Sequence, residues 1–467
     1  MGRQGEGSQI PSGLREQMAP EVLAFVEGLL SRIGQLEARL RKNPQNSSLP
    51  PSTLHPHAKP KPRGKSSGRK RGGQKGHPKH ERALVPPEEV TETIPLRPAH
   101  CRSCGGELSG DDPQPLRHQV FELPEIKPII TEYQRHRLTC PCCGVQTAAA
   151  LPDGVGRGQS GPRLTAFVAL LMASFRQSKR RTALFVETVL NIPCSAAWTV
   201  KLQNLATTAL RPCYEELREL LPRSDAVWMD ETPTKQANRK VWLWTALTKR
   251  FTVFAVRLSR AAEVPKELLG EKYSGVVTSD RYAGYDWIDK RQLCCGHLLR
   301  DFQSLIDSGH RGPKQIGTRL KDSFQELFHH WHDYREGRIT HRAMRGRIRK
   351  LQWPVYEALE AGTLKLRGKP AGMCQHILDR FDHLWTFLDH AGVEPTNNAS
   401  ERALRHGVIW RKLSFGTQST SGSRFVETLL SVIETCRQQG HNVIHFITQA
   451  VDAHFNARPA PSLGFSV

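Results

Sequence analysis

No apolar run in the sequence approaches the roughly 20 residues needed to cross a membrane. The first residues also lack the apolar core of a secretory signal peptide. Acidic residues are outnumbered, 45 against 67 Lys and Arg, which leaves a net charge of +22. These absences predict a soluble, intracellular protein with a polyanionic partner, nucleic acid first and an anionic membrane surface second.

Residues 43–82 have little apolar content and many Pro, Gly and Ser residues. Between Lys59 and Lys79 there are nine Lys or Arg residues and no acid. Such a composition cannot form a core. We interpret the segment either as a solvated linker or as a flexible arm on DNA phosphates. The predicted contacts of this arm are Arg63, Lys65, Arg69, Lys70, Arg71 and Lys75.

The eleven cysteines do not indicate a disulfide framework, because four of them form two C-x-x-C pairs, each followed by Gly. Two such pairs supply the four ligands of a structural zinc ion, which we predict in a domain at 83–155. Its ligands would be Cys101, Cys104, Cys140 and Cys143. His100 and Cys142 are alternative ligands, and unmetallated thiols are the alternative state. Val120–Leu123 and Ile129–Leu138 have strand-like sequences.

The first 42 residues divide into a polar part and a helical part. Residues 1–20 are rich in Gly and Gln and are predicted to be disordered. Residues 21–42 carry an apolar seam with 4-3-4-3-4 spacing, which predicts a helix. It would be either an amphipathic helix packed on the protein or a short dimerising coiled coil. The seam consists of Val22, Val26, Leu29, Ile33, Leu36 and Leu40.

Residues 160–222 have helical periodicity interrupted at a short Asn-Ile-Pro-Cys break. Ser178 and Ser195 are suited to cap two of the helices. A helix, a short turn and a second helix with a basic end predict a helix-turn-helix that binds DNA. A plain helical bundle is the alternative. The predicted DNA contacts are Lys179, Arg180 and Arg181.

Three apolar, β-branched and aromatic runs separated by turn residues predict an antiparallel β-meander. They are Ala226–Met229, Val241–Leu247 and Phe251–Leu258. The first run ends on Asp230, a later apolar run at Gly275–Thr278 ends close to Asp280, and a still later helix carries Glu401. Two strand acids and one helix acid are the carboxylates that a two-metal phosphoryl-transfer site requires.

Other acids near these runs are weaker candidates. Glu231 follows Asp230, so strand alternation predicts that its side chain faces the opposite way. Asp225, Asp286 and Asp289 lie near strand ends or in loops. The predicted catalytic domain comprises 223–310 and 393–455, separated by a basic helical insertion at 311–392 and followed by a tail at 456–467.

A set of ordered motifs then allows a comparison with a known family. MDETPTK, VWLWTAL, VVTSDRYAGY, CCGHLLRDF and PTNNASERALRHGVIWRK follow one another along the chain. QNSSLPPS, GGQKGH, the two C-x-x-C pairs and SKRRT precede them. From about residue 20 to 450 the chain resembles the transposases of bacterial insertion sequence family sixty-six.

The resemblance implies an α+β multidomain protein. Its catalytic core would be ribonuclease-H-like, mixed α/β, with an α-helical insertion, beside zinc-ribbon-like and helical DNA-binding domains. The implied Asp-Asp-Glu triad is Asp230, Asp280 and Glu401, which would hold two catalytic Mg²⁺ ions in addition to one structural Zn²⁺.

The resemblance also implies an auxiliary role for Cys294 and His297 beside the second acid. Arg402 and Arg405 flank Glu401 and would either contact phosphate or be solvated. His406 stands where the family pattern leads us to expect Pro.

The implied function is DNA transposition in a bacterial cytoplasm, at the nucleoid. Water would free a 3′-hydroxyl at each element end, and that hydroxyl would attack target DNA. Expected partners are double-stranded DNA, both terminal inverted repeats and target, a second copy or more of the chain, and accessory proteins of the same element. Two alternatives stay open, a non-catalytic zinc-dependent DNA-binding regulator and a nuclease that cuts without joining.

Overall fold

The computed structural model describes residues 10, 12–15, 17–40, 42–43, 46, 82–156, 158–308 and 310–464. These residues fall into two compact units, one formed by residues 82–127 and the other by the rest. The predicted arm contacts from Arg63 to Lys75 lie outside the described residues.

The helices of the described residues are α1 (Ser12–Arg15), α2 (Pro20–Leu40), α3 (Pro162–Ala173), α4 (Lys179–Leu190), α5 (Ala196–Leu220), α6 (Glu263–Leu269), α7 (Cys295–Ile306), α8 (Arg311–Arg335), α9 (His341–Arg349), α10 (Gln352–Lys365), α11 (Lys369–Leu378), α12 (Asn398–Ser414), α13 (Thr420–Gln439) and α14 (Val443–Phe455). The strands are β1 (Arg137–Thr139), β2 (Gln146–Ala148), β3 (Ala226–Gln236), β4 (Arg239–Leu247), β5 (Thr252–Arg257), β6 (Val276–Ser279) and β7 (Arg291–Leu293). None of these helices has the length and apolar character that a membrane span requires.

The N-terminal helix α2 confirms the helix predicted from the apolar seam. Its seam residues Val22, Leu29, Ile33 and Leu36 keep about half of their surface exposed, so the described chain does not bury them. Coverage of this seam by a second copy stays a prediction. The short helix α1 lies inside the segment predicted to be disordered, and that prediction is therefore wrong for Ser12–Arg15.

The strand predicted at Val120–Leu123 is wrong. Residues 82–127 contain no strand, and the side chains of Val120 and Leu123 are 80% and 73% exposed, so no partner strand covers them. In the other unit, β1 overlaps only the end of the predicted Ile129–Leu138 strand and pairs antiparallel with β2.

The helices α3, α4 and α5 occupy the segment predicted as a helix-turn-helix domain. Buried residues of α3 and α5 share one hydrophobic core with the large sheet and with α13 and α14. Tyr214 of α5 also donates a hydrogen bond to the carbonyl of Phe254 in β5, at 3.0 Å. This segment therefore packs with the sheet and does not form a separate core.

The large sheet has the strand order β5-β4-β3-β6-β7. Strands β3, β4 and β5 are successive antiparallel neighbours, which confirms the predicted meander, while β6 lies parallel to β3 and β7 parallel to β6. The β3–β4 turn places Ala237 and Asn238 at φ +48° and +61°, the left-handed pair typical of a type I′ hairpin.

This tight hairpin extends β3 well beyond its apolar run. Asp230 therefore lies inside the strand, opposite Thr245 of β4, and not at the strand end that the sequence predicts. On the other side, β3 pairs with β6 only as far as Trp228 and Thr278. Asp230 thus lies just past the last parallel pair, where β3 extends beyond β6.

The outer edge of the sheet is covered by one face of α13. The N–H groups of Thr252, Phe254 and Val256 in β5 donate to side chains spaced one helical turn apart. The acceptors are Thr435, Ser431 and Glu427. Polar side chains buried at this spacing satisfy the donors of an edge strand, which stabilises the sheet against pairing with another chain.

The insertion predicted at 311–392 is helical, as expected. Helices α8 to α11 build a second hydrophobic core together with α7, around Phe302, Leu320, Phe324 and Leu327. Gln292 of β7 joins this core to the sheet, since its side chain donates to the carbonyl of Leu384 and accepts from the N–H of Phe387.

Candidate active site

Asp230 in β3, the central strand of the sheet, is the first of the three predicted carboxylates. One of its oxygens accepts a hydrogen bond from the N–H of Glu231 at 2.9 Å. Burial raises the pKa of Asp230 well above its usual value, and the negative charges of Glu231, Asp280 and Glu401 raise it further. The side chains of Asp280 and Glu401 are therefore close enough to Asp230 to repel it.

Asp280 follows β6 directly, at the start of a short loop. Its side chain accepts from the N–H of Tyr282 at 2.9 Å. The loop is held by Arg291, which is fully buried and donates to the carbonyls of Asp280 (2.6 Å) and Tyr282 (2.9 Å). Arg291 also forms an ion pair with Asp286 at 2.7 Å. This buried cation fixes the backbone on which the second acid lies.

Glu401 lies in the first turn of α12, as the sequence predicts. Burial raises the pKa of Glu401, Arg300 and Arg405 oppose that shift, and Asp280 adds to it. Two nitrogen groups lie near its carboxylate: His297 Nδ1 is 3.6 Å from Glu401 Oε1, and the cationic Arg300 Nη2 is 3.7 Å from the same oxygen. Asp280 and Glu401 thus raise the pKa of Asp230, and Asp280 also raises that of Glu401, so the three predicted triad residues lie near one another.

Asn397 joins the elements that carry the acids. Its side chain donates to the carbonyl of Met229 at 2.7 Å, immediately before Asp230. Its backbone N–H donates to Cys294 Sγ at 3.2 Å. Asn397 precedes α12, so this buried residue ties the start of that helix to both β3 and the start of α7.

Glu231 faces away from Asp230 in the strand, but it is not a solvated acid. Its side chain is only 2% exposed and forms an ion pair with Arg260 at 2.7 Å. Tyr285 donates a second hydrogen bond to it, also at 2.7 Å. Glu231 is therefore a satisfied buried carboxylate, and a change there alters the packing beneath the site.

Cys294 and His297, the predicted auxiliary pair, lie beside the third acid. Cys294 Sγ, a His297 ring nitrogen and a Glu401 carboxylate oxygen all lie within 4.8 Å of one another. Burial raises the pKa of Cys294 to about 11, against the opposing effect of nearby amides. Burial and Arg300 lower the pKa of His297 to about 4, so its ring is neutral at neutral pH.

A basic cleft of about 650 Å³ opens next to α12. Arg402 and Arg405 of that helix line it together with Lys249, His406 and Arg437. His406 interacts with Arg176 (2.8 Å) and Arg437 (2.9 Å) through its two ring nitrogens. A neutral imidazole accepts at one nitrogen, so one of these two arginines can donate to the ring at a time. The helix continues through His406 without a break.

Each predicted zinc knuckle has the same local geometry. In the first, Cys101 N donates to Gly106 O at 2.8 Å, and Gly105 N donates to Cys101 O at 3.0 Å. In the second, Cys140 N donates to Val145 O and Gly144 N donates to Cys140 O, both at 2.9 Å. Gly105 and Gly144 adopt φ +71° and +70°, which residues with a Cβ rarely do.

The amides of Cys104 and Ser103 lower the pKa of the Cys101 thiol, and those of Cys143 and Cys142 lower the pKa of Cys140. Both effects favour thiolates, the form that binds zinc. Each knuckle by itself thus has the chemistry of half of a zinc site.

The basic residues Lys179, Arg180 and Arg181 are exposed in the first turn of α4. Ser178 caps this helix, because its side chain accepts from the N–H of Arg181 at 3.3 Å. Ser195 likewise caps α5 by accepting from the N–H of Trp198, so both predicted caps are confirmed.

Comparison with known proteins identifies the chain as a transposase that carries a zinc-finger segment. Residues 157–424 match the model of the transposase IS66 family, and residues 98–144 match the zinc-finger binding domain of transposase IS66. Residues 11–83 match a family of unknown function, DUF6444. The transposase model covers more than half of the sequence, and the chain belongs to the IS66 family of insertion-sequence transposases.

Similar proteins include two uncharacterized proteins of Sinorhizobium fredii. Protein y4qI is 24% identical over 420 residues, which cover 80% of this chain and 74% of y4qI. Protein y4hP is 23% identical over 377 residues, which cover 73% of this chain and 68% of y4hP. The family assignment supports a transposase role, DNA binding and zinc binding.

Proposed function

We propose that this chain is an Asp-Asp-Glu transposase that cuts the ends of its element and joins the 3′ ends to target DNA. Asp230, Asp280 and Glu401 are its catalytic triad. The observation that carries this proposal is their placement: Asp230 lies in β3, Asp280 directly follows the neighbouring strand β6, and Glu401 lies in the first turn of α12, which Asn397 ties to β3. The charges of Asp280 and Glu401 both raise the pKa of Asp230 in agreement with it. Carboxylates that crowd together in a partly buried site are stabilised by a divalent cation.

The donor set suits magnesium. Asp230, Asp280 and Glu401 offer only oxygen ligands, which Mg²⁺ prefers. Glu231 is already neutralised by Arg260, so it does not compete for a cation. Two Mg²⁺ ions bound by the triad would supply Lewis-acid stabilisation of the attacking and leaving oxygens.

The strand order agrees with a ribonuclease-H-like core, the finer fold class that we propose here. Three antiparallel strands are followed by two parallel ones on the far side of β3. In this arrangement the acids of β3 and β6 belong to neighbouring strands, and α12 brings the third acid beside them. The insertion α8–α11 lies in the chain between the second and third acids.

In the proposed reaction, water attacks phosphorus at an element end, the P–O3′ bond breaks, and its oxygen leaves as the 3′-hydroxyl. That hydroxyl then attacks a target phosphate, where the target's own P–O3′ bond breaks. Arg402 and Arg405 in the basic cleft would hold the DNA backbone beside Glu401, because exposed guanidinium groups bind phosphate.

Lys179, Arg180 and Arg181 are proposed as further DNA contacts. Cations in the first turn of a helix are disfavoured by the helix dipole. Their occurrence there is explained if the end of α4 meets a polyanion. We also propose that Cys101, Cys104, Cys140 and Cys143 hold one structural zinc, and that the transposase acts as a dimer or higher oligomer.

The decisive variants are Asp230→Asn, Asp280→Asn and Glu401→Gln, which remove charge while nearly keeping size. Cleavage of element-end DNA in Mg²⁺ should fall at least about 10³-fold in each variant, because positioned cations supply several kcal/mol of transition-state stabilisation. Asp289→Asn, on an exposed acid of the same domain, is the matched control and should cut normally.

Normal cutting by all three variants would refute the triad. Cleavage without any strand-transfer product in the wild-type protein would favour a nuclease. DNA binding without cleavage in the wild-type protein would favour a regulator.

A further inference from the structure

Cys294 and His297 have the same two-residue spacing as the cysteines of the zinc knuckles, and they lie at the start of α7. In each knuckle the amides two and three residues after the first cysteine lower the pKa of its thiol. The amides of His297 and Gly296, three and two residues after Cys294, act on its sulfur in the same sense. The geometry is a cluster at the start of α7, in which Cys294 Sγ, a His297 ring nitrogen and a Glu401 carboxylate oxygen all lie within 4.8 Å of one another.

A hydrogen bond strengthens this resemblance. The backbone N–H of Asn397 donates to Cys294 Sγ at 3.2 Å, as amides do toward thiolates in metal sites. At Gly296 an added Cβ would lie 3.6 Å from Cys294 Sγ, the same spacing that separates a Cβ at Gly106 from Cys104 Sγ in the first knuckle. The backbone thus passes close to the sulfur in both places.

The His297 ring presents a potential metal ligand, Nδ1, to Glu401. Its Nδ1 is buried and has no hydrogen-bond partner among the described residues. It points at Glu401, with 3.6 Å between Nδ1 and Oε1. The His297 and Glu401 side chains are 17% and 35% exposed, so a cation can reach the cluster from solvent.

We propose that Cys294, His297 and Glu401 bind a thiophilic divalent cation such as Zn²⁺, and that a cation there withdraws Glu401 from the catalytic site. One sulfur, one nitrogen and one oxygen ligand leave a fourth position open, the pattern of accessible zinc sites. One thiolate and one carboxylate cancel the charge of the cation, and the thiol proton is released to solvent. Magnesium would avoid this site, because it prefers oxygen ligands.

The site would make the transposase sensitive to zinc, an inhibitory effect that rests on the proposed function. Glu401 cannot serve both sites fully, since its carboxylate would be shared between the catalytic cations and the sulfur-containing site. Zinc would then slow DNA cleavage even where magnesium is abundant.

Zinc binding is tested on the full chain without DNA, by counting metal ions per chain with native mass spectrometry during titration with Zn²⁺. We expect one equivalent at the cysteine knuckles and a second that Cys294→Ser and His297→Asn each weaken at least about tenfold, since even the loss of a residue that only supports a metal ligand costs about 10–100-fold. Cys295→Ala is the matched control, because that buried thiol lies 3.8 Å from the carbonyl of Leu293 and outside the cluster. It should keep both equivalents.

A wild-type chain that binds no second equivalent, or two variants that bind it as the wild type does, would overturn the site. Thermal unfolding of each variant verifies that it folds. His297→Asn gives an independent test if Cys294→Ser does not fold, since His297 Nδ1 has no hydrogen bond to lose.

Inhibition is tested as the ratio of cleavage rates with and without micromolar Zn²⁺ at saturating Mg²⁺. The ratio should fall at least about tenfold in the wild type, as for a lost metal ligand, and stay near one in the Cys294 and His297 variants. An equal fall in all proteins would mean that zinc acts elsewhere and would overturn the inhibitory role. If the wild type cuts no DNA at all, the proposed function fails, while the metal count still decides the site.

Discussion

The cysteine knuckles are each closed by backbone hydrogen bonds inside short segments such as Cys101–Gly106, whereas the three carboxylates reach their site from β3, the end of β6 and the start of α12. The amides of a knuckle lower thiol pKa values, while burial and repulsion raise those of Asp230 and Glu401. In a knuckle, local backbone geometry alone therefore favours the thiolate form that binds zinc. The acids depend on tertiary contacts that hold like charges together.

The largest expected effect comes from removing a knuckle. The double substitution Cys101→Ser, Cys104→Ser should abolish zinc binding at the knuckles, worth on the order of 10 kcal/mol, because two of four ligands are lost. Metal analysis of purified protein should show about one zinc per chain fewer than in the wild type. Cys142→Ser is the control and should keep its zinc. A full complement of zinc in the double variant would remove the assignment.

Removing the buried cation Arg291 should destabilise the loop that carries Asp280. Arg291→Met would leave the carbonyls of Asp280 and Tyr282 without this donor, at a cost of about 1–3 kcal/mol for each buried acceptor. Chemical denaturation measures this loss. Lys290→Met, at an exposed neighbour, should cost less than about 1 kcal/mol. Equal stability of the two variants would mean that Arg291 does not hold the loop.

A smaller loss of stability is expected when Asn397 is replaced. Asn397→Ala removes the hydrogen bond to the Met229 carbonyl and should cost about 1–3 kcal/mol, since that buried acceptor loses its partner. Cleavage should fall further, by about 10²-fold, because the acids shift relative to one another. Asn398→Ala, at an exposed neighbour, is the control. Full cleavage activity of Asn397→Ala would show that the tether does not position the acids.

The smallest expected effect is the pH dependence of stability that the raised pKa of Asp230 causes, and the sign of that dependence tests the comparison. A raised folded-state pKa means that the folded protein holds the proton of Asp230 more tightly than the unfolded chain does. That contribution to stability is full below the unfolded pKa of about 4 and is lost as pH rises through the raised folded value.

Asp230→Asn should therefore stabilise the metal-free protein by about 0.5–2 kcal/mol at pH 7, with little gain below about pH 4. Thermal unfolding at both pH values checks this. An Asp230→Asn variant less stable than the wild type at pH 7 would contradict the repulsion.

Much of this arrangement follows from local sequence. The meander, the strand before Asp280, the helix that carries Glu401 and the helical insertion are all predicted by the sequence pattern, whereas the parallel direction of that strand is not. Their periodicity is set by burial on one face, which a short window of sequence reveals. The knuckles are equally local.

The contacts that hold the acids together could not be predicted in this way. From the sequence alone, Arg291 would be expected to be a solvated cation. It is fully buried because the carbonyls that it binds belong to a loop formed earlier in the chain. Asn397 reads as a helix cap, but its side chain bonds to Met229 in a distant strand. Asp230 reads as a strand end, because the extension of β3 depends on its register with β4. Partners distant in sequence leave no periodic signal.

The central claim is that Asp230, Asp280 and Glu401 form one cation site. Titration calorimetry with Mn²⁺, on zinc-loaded wild-type protein and on Asp230→Asn, Asp280→Asn, Glu401→Gln and Asp289→Asn, measures it without DNA or turnover. The account predicts Mn²⁺ binding by the wild type and by Asp289→Asn, and at least about tenfold weaker binding by each of the other three, since each loses a charged ligand. Unchanged binding by all three triad variants would contradict it.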